Sequence, residues 1–232
     1  MKDATFVMQI DKITLAALII LGGMFFPREA KSQTQRTFQR KGIHGKPIQV
    51  PYIRYEEYQN ISLTSDAIPQ KSSSQSADVN PTFGQLLSVV SLDEVTHRLG
   101  EPRSIERREL SENMFIGILH YEGLMLEYLK TGTREIRLRK LHITGSDWSV
   151  SINGKGFRPG MNVDQLSSAI QQSIQDIENP PPDRPDVSAS AVLHVASSGK
   201  GREGEKLEEN TGFSFQIDDA GTIEAIVFHR LI

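Results

Sequence analysis

The chain has 232 residues, of which 38% are hydrophobic and 24% charged, and a formal net charge of −3 at pH 7. That composition fits a folded globular protein of one large or two small domains, and the weak net charge excludes an electrostatic case for nucleic acid or an anionic membrane as partner. There is no cysteine, which excludes disulfides, thiolate zinc sites and the lipidated cysteine of a bacterial lipoprotein, so the fold must stand on its core.

Residues 1–32 read as a signal peptide. Lys2 and Lys12 give a weakly basic start, and Ile13 to Phe26 is an uncharged apolar run. The run is shorter than the roughly 20 residues of a spanning helix and suits a signal core. Pro27 ends it, and Ala30-Lys31-Ser32 places small residues at the −3 and −1 positions of a cut before Gln33. Left uncut, the same segment is a membrane anchor. An exported chain without disulfides fits a bacterial periplasm or a secreted route.

Residues 33–81 read as a flexible leader and linker. Pro47 to Tyr58 holds one short strand, which Pro51 confines to an edge. Asn60 to Pro81 is rich in Ser, Gln, Asp and Pro, a linker composition. A first αβ unit then spans 82–147. Phe83 to Val90 offers a helical turn. Ser91 and Glu94 form a capping box, Val95 and Leu99 share a face, and Gly100 and Pro102 stop the helix. Strands follow at Arg103 to Leu110, Met114 to Tyr121, Leu124 to Lys130 and Arg134 to Ile143. They are joined by Glu122-Gly123 and Thr131-Gly132-Thr133, and the period slips at Lys140-Leu141 as at a bulge.

A second unit spans 148–232. Trp148 to Ile152 is a strand ending at Asn153-Gly154. Asn162 caps a helix with Val163, Leu166, Ile170 and Ile174 at helical spacing. Val187 to Ala196 is a strand, Ser197 to Gly212 a polar loop, and Phe213 to Asp218 with Thr222 to Ile232 a final hairpin. The two helices align at a constant offset, Ser91 on Asn162, Asp93 on Asp164, Glu94 on Gln165, Val95 on Leu166 and Leu99 on Ile170. The expected class is therefore α+β, two tandem units that each combine a short capped helix with an antiparallel β-meander.

Gly160-Met161-Asn162-Val163-Asp164-Gln165-Leu166 resembles the G-M-[S/T]-x-x-[E/Q]-[V/L] helix opening of the tandem-repeat β-lactamase-inhibitor-protein family. It also resembles the small lipoprotein of the outer-membrane assembly machine, and Leu99-Gly100-Glu101-Pro102 matches the L-G-x-P helix ending of that superfamily. The resemblance covers roughly residues 82–232. The first copy has Val89-Val90 where Gly-Met would stand, the second lacks L-G-x-P, and the cysteines of both families are missing. The resemblance implies a non-catalytic exported protein that binds other proteins.

Gly199-Lys200-Gly201-Arg202-Glu203-Gly204 spells G-x-G-x-x-G. The long helix that a dinucleotide site needs after it is missing, so the stretch reads as a hairpin loop. The six histidines lack ligand spacing. No residue is assigned to catalysis, to a cofactor or to a metal. Arg107, Arg108, Arg134, Arg137, Arg139 and Lys140 form a basic stretch. Residues Arg107, Arg137, Arg139, Trp148, Lys200 and Arg202 are the candidates for contact with a partner, the aromatic as an anchor and the cations toward an acidic surface. The reading is an exported, non-enzymatic protein-binding module. The alternative is a periplasmic hydrolase or small-ligand binder that uses the cleft between the units. Intact mass of protein recovered from the periplasm is expected to begin at Gln33; a membrane-bound species that retains Met1 to Ser32 would show an anchor.

Overall fold

Period-two alternation organises the computed structural model, which describes residues 36–41, 47–66, 80–132, 136–178, 180, 182, 184–197 and 206–230. The first elements are β1 (Arg36–Lys41), β2 (Pro47–Arg54), α1 (Tyr55–Gln59), β3 (Ser62–Ser65), α2 (Phe83–Leu87), β4 (Ser88–Val89) and α3 (Leu92–Leu99). Four strands follow, β5 (Ser104–Ser111), β6 (Met114–Tyr121), β7 (Leu124–Thr131) and β8 (Ile136–Ile143). Then come β9 (Trp148–Ile152), β10 (Lys155–Phe157), a 3₁₀ turn (Val163–Gln165), α4 (Ser168–Gln171) and β11 (Gln175–Asp176). The chain closes with β12 (Val187–Ser197), β13 (Lys206–Asp218) and β14 (Ile223–Arg230).

These strands build one 11-stranded sheet in the order β1-β2-β12-β13-β14-β8-β7-β6-β5, with β11 added on β12 and β4 on β8. A second sheet has the order β10-β9-β3. Every pairing in the large sheet is antiparallel except β2 with β12, where Tyr52, Ile53 and Arg54 run parallel to His194, Val195 and Ala196. The expected class of tandem helix-plus-meander units is therefore corrected to a mostly β protein with one large mixed sheet. The reason lies in the helices. The longest described one, α3, has 8 residues and the others 4 or 5, and helices that short have little stability of their own.

Residues 36–41 and 47–65, expected as leader and linker, contribute strands to both sheets. β2 pairs with β1 on one side and β12 on the other. Pro51 lies opposite Thr37 of β1, while pairing with β12 begins only at Tyr52, so its missing N–H breaks no bond of the β12 ladder. The expected helix from Val163 through Ile174 divides in two. Asn162 accepts the backbone N–H of Asp164 at 2.9 Å, Leu166 is extended, and Ser167 accepts the N–H of Ile170 at 3.3 Å to start α4 afresh. Two capping side chains close together offer the backbone a restart in place of a continuous helix. β13 likewise begins at Lys206, inside the stretch expected as a loop.

One face of the large sheet is the core side. It carries Phe115, Leu119, Leu124, Leu126, Tyr128, Leu138, Leu141, Phe213, Phe215 and Phe228, all buried. The helices and the small sheet cover it with Tyr58, Leu63, Phe83, Leu86, Val95, Trp148, Val150 and Ile170, also buried. Phe83 sits at the centre of an aromatic cluster, its ring 5.9 Å from Tyr58, 5.2 Å from Phe213 and 5.3 Å from Phe228. Local sequence sets the approach of the two sheets at one tight point. Gly123 turns the β6–β7 hairpin at φ 69°, and a Cβ there would lie 2.5 Å from the Gly145 Cα.

Truncating Phe83 to Ala removes a ring with 0% exposure. The expected loss is about 3–5 kcal/mol in chemical denaturation, while Val90→Ser, at a side chain 81% exposed, should leave the transition unmoved.

Candidate functional site

Alternation that sends one set of side chains into the core sends the other set to the opposite face of β5 to β8 and β14. Among the described residues no second layer packs on that face. The register writes its side chains in rows. One row reads Arg108, Ile116, Leu129, Arg137. The next reads Glu106, Ile118, Glu127, Lys140, His229. A third reads Ser104, His120, Met125, His142, Val227. Ile116, Ile118, Met125, Leu129 and Val227 are only half-buried, and Arg137 and Arg139 are exposed. The surface is thus an apolar strip flanked by guanidinium and ammonium groups.

The bulge shapes its charge. Register passes from Glu127 opposite Lys140 to Tyr128 opposite Leu138, which leaves Arg139 as the extra residue. From there Arg139 Nη1 reaches Glu127 Oε1 at 3.3 Å. Arg108, Arg137, Arg139 and Lys140 face Glu106 and Glu127 on this side, so the strip keeps a positive surplus. His229 is open to water on one side, yet partial loss of solvation and then the Lys140 charge hold its imidazole below the ordinary value.

The partner-contact candidates distribute unevenly. Arg137 and Arg139 lie on the open face. Arg107 lies on the core side of the edge, its guanidinium 4.0 Å above the Phe115 ring and 2.6 Å from Glu109 Oε1. Its neighbour Arg108, also part of the basic stretch, lies on the open face opposite Ile116. Trp148 is 4% exposed, donates its Nε1–H to the Glu122 carbonyl at 2.7 Å and meets Tyr121 edge-on at 6.0 Å; it anchors the core. Lys200 and Arg202, with the glycine-rich stretch around them, lie outside the described residues. The half-buried apolar members, Ile116, Ile118 and Leu129, went unnoticed in the sequence. Their signal was the second, weaker face of strands whose first face reads as core.

A separate open groove of about 720 Å³ lies beside the small sheet, lined by Asp66, Ser146, Asp147, Ser149, Gly156, Arg158, Pro159, Gly160, Met161 and Gln165. Arg158 reaches Asp66 across it at 3.6 Å. Thr64 and Ser149 share a hydroxyl contact beside it. Its walls offer a guanidinium and carboxylates, with no imidazole beside the serines to take a proton from them. Among the described residues no group of three or more His, Asp and Glu is placed to hold a metal ion.

No protein-family model, no curated protein and no solved structure matches this chain.

The His229 environment has a measurable consequence. A folded-state pKa below the unfolded one means that the unfolded chain takes up the proton first, so His229 contributes stability above the ordinary imidazole pKa of about 6.5 and loses it as pH falls through the depressed folded value. Denaturation of the parent and of His229→Asn across that acid range should show the parent losing more stability than the variant; equal losses would contradict the assigned environment.

Proposed function

We propose that the chain is an exported, non-enzymatic module that binds another protein, and that an acidic partner docks on the open face of β5 to β8 and β14. The observation that carries the reading is the strip of half-exposed Ile116, Ile118, Met125 and Leu129 between Arg108, Arg137, Arg139 and Lys140. Large apolar side chains ringed by arginine have the composition of a docking patch. The cations bring an acidic surface into register and speed its encounter, while the apolar strip supplies the area. Export follows from the reading of residues 1–32 as a signal. Among the described residues no helix is long and apolar enough to cross a membrane.

Leu129→Asp and Arg137→Glu alter side chains on this face that carry no core packing. Capture of an acidic partner by the purified protein should fall at least tenfold in each variant and weaken as salt is raised. Arg107→Ala, on the other side of the sheet, should capture as the parent does. If the face variants capture normally and Asp66→Asn or Arg158→Ala abolishes binding, the groove is the site and this reading is wrong.

A further inference from the structure

The last strand of the large sheet, β5, has no partner on its outer side among the described residues. All 8 of its residues are exposed. An edge strand shows a row of unpaired N–H and C=O groups to solvent, and proteins guard such edges with proline, charged side chains, inward-pointing charges, bulges, short length or a covering element. β5 has no proline and is as long as its neighbour β6; its guards are the charged run Glu106 to Glu109, with Arg107 turned to the core side, and a register slip between Glu109 and Ser111, and a charged run keeps off a second copy only where like charges would meet. Of the four large hydrophobic side chains exposed among the described residues, three border this edge, Ile105 at 48%, Leu110 at 50% and Met114 at 36%.

The strand reads Ser-Ile-Glu-Arg-Arg-Glu-Leu-Ser, and pairing two copies about its midpoint, between Arg107 and Arg108, would set arginine against arginine and glutamate against glutamate. A strand that pairs antiparallel with its own copy about a two-fold axis must complement itself. The two sheets continue with like faces together only when paired positions share parity. Centring the axis on Arg107 meets that condition. It sets Glu106 opposite Arg108 of the second copy, and Arg108 opposite Glu106 of the second copy, so two opposite-charge pairs form on one face. Arg107 then faces its own equivalent. Each Arg107 is already neutralised within its own chain by Glu109 at 2.6 Å and stacked on Phe115 at 4.0 Å. Centring on Arg108 instead also forms two opposite-charge pairs, Arg107 with Glu109 of the second copy, but these only exchange the partner that each already has within its own chain, and two arginines are opposed on the open face.

We propose that β5 pairs antiparallel with β5 of a second copy of this chain, two-fold about Arg107, so that one sheet runs through a homodimer. The pairing satisfies the outer backbone groups of both edges and shields Ile105 and Leu110. It stands on β5, whose Arg108 also borders the docking strip, and its test is read with no partner present, so it can hold or fail apart from the docking reading.

Sedimentation equilibrium of the purified full chain over a concentration series tests it. The parent is expected to dimerise. Arg108→Glu sets Glu106 against a glutamate at both pairs and should weaken association at least tenfold. Glu106→Arg combined with Arg108→Glu exchanges the charges and should restore it. Because all these side chains are exposed, the melts should coincide at a concentration low enough for the parent to be monomeric, and only the chains that dimerise should gain stability as concentration rises. Residues 1–32 are common to all variants, so association through them would survive Arg108→Glu. A parent that stays monomeric overturns the proposal. So does a dimer indifferent to Arg108→Glu, or a folded double variant that stays monomeric. Hydrogen exchange of the parent supplies a reading free of substitutions. The outward amides of β5 should be protected at high concentration and exchange rapidly on dilution, and protection independent of concentration would equally overturn it.

Discussion

Four residue pairs between β8 and β14 hold the large sheet together: Ile143 with Ile226, His142 with Val227, Leu141 with Phe228, and Lys140 with His229. Without them the chain would have two smaller sheets, each with an apolar face too broad for the short helices at hand. The seam also fixes the layer above. Phe228 lies 5.7 Å from Tyr58, 5.3 Å from Phe83 and 5.2 Å from Phe213, so α1, α2 and β13 meet on a ring that the seam positions. Aromatic pairs at these separations favour offset-stacked and edge-on geometries, which restricts how the helices can sit. The same register carries the rows of the open face from β5 to β14. Core and candidate site are two sides of one pairing.

Much of the strand pattern was legible because hairpin strands announce themselves locally. Met114 to Tyr121 and Trp148 to Ile152 form β6 and β9 as their sequence reads, and the slip at Lys140-Leu141 reports the bulge that frees Arg139. What stayed hidden was what distant residues decide. β3 reads as linker because Ser62 to Ser65 is mostly polar, and its partners, β9 with Pro81 and Thr82, come from later in the chain. β2 gains its second neighbour from β12, far along the chain. The helix expected from Val163 to Ile174 has the right period, but Ser167 competes for the backbone and wins. Spacing does not register that competition.

The candidate site divides along the same line. Arg137 and Arg139 were visible as the polar half of an alternating strand. Arg107 and Arg108 were not separable, because β5 is exposed along its whole length and no buried partner marks its phase. One residue of register sends Arg108 to the open face and sets Arg107 over Phe115. Trp148 shows the opposite lesson. A lone tryptophan is as good a core residue as an interface anchor, and its Nε1–H to the Glu122 carbonyl decides the matter. The basic character of the face survives these reassignments, since Arg108 replaces Arg107.

The parallel ladder of β2 with β12 bears on the order in which the molecule is made. Tyr52 leaves the ribosome well before His194, its partner. The antiparallel meander β5 to β8 closes through short turns and forms early, since local contacts cost little chain entropy. β1 and β2 have no such neighbour to wait beside. Their outer side stays open until β12 has been synthesised, so strands that emerge early are among the last to lock. A chaperone that holds nascent chains would find its longest-lived target there, in residues 36–41 and 47–54, and a chain halted before β12 would keep β2 unpaired on one side.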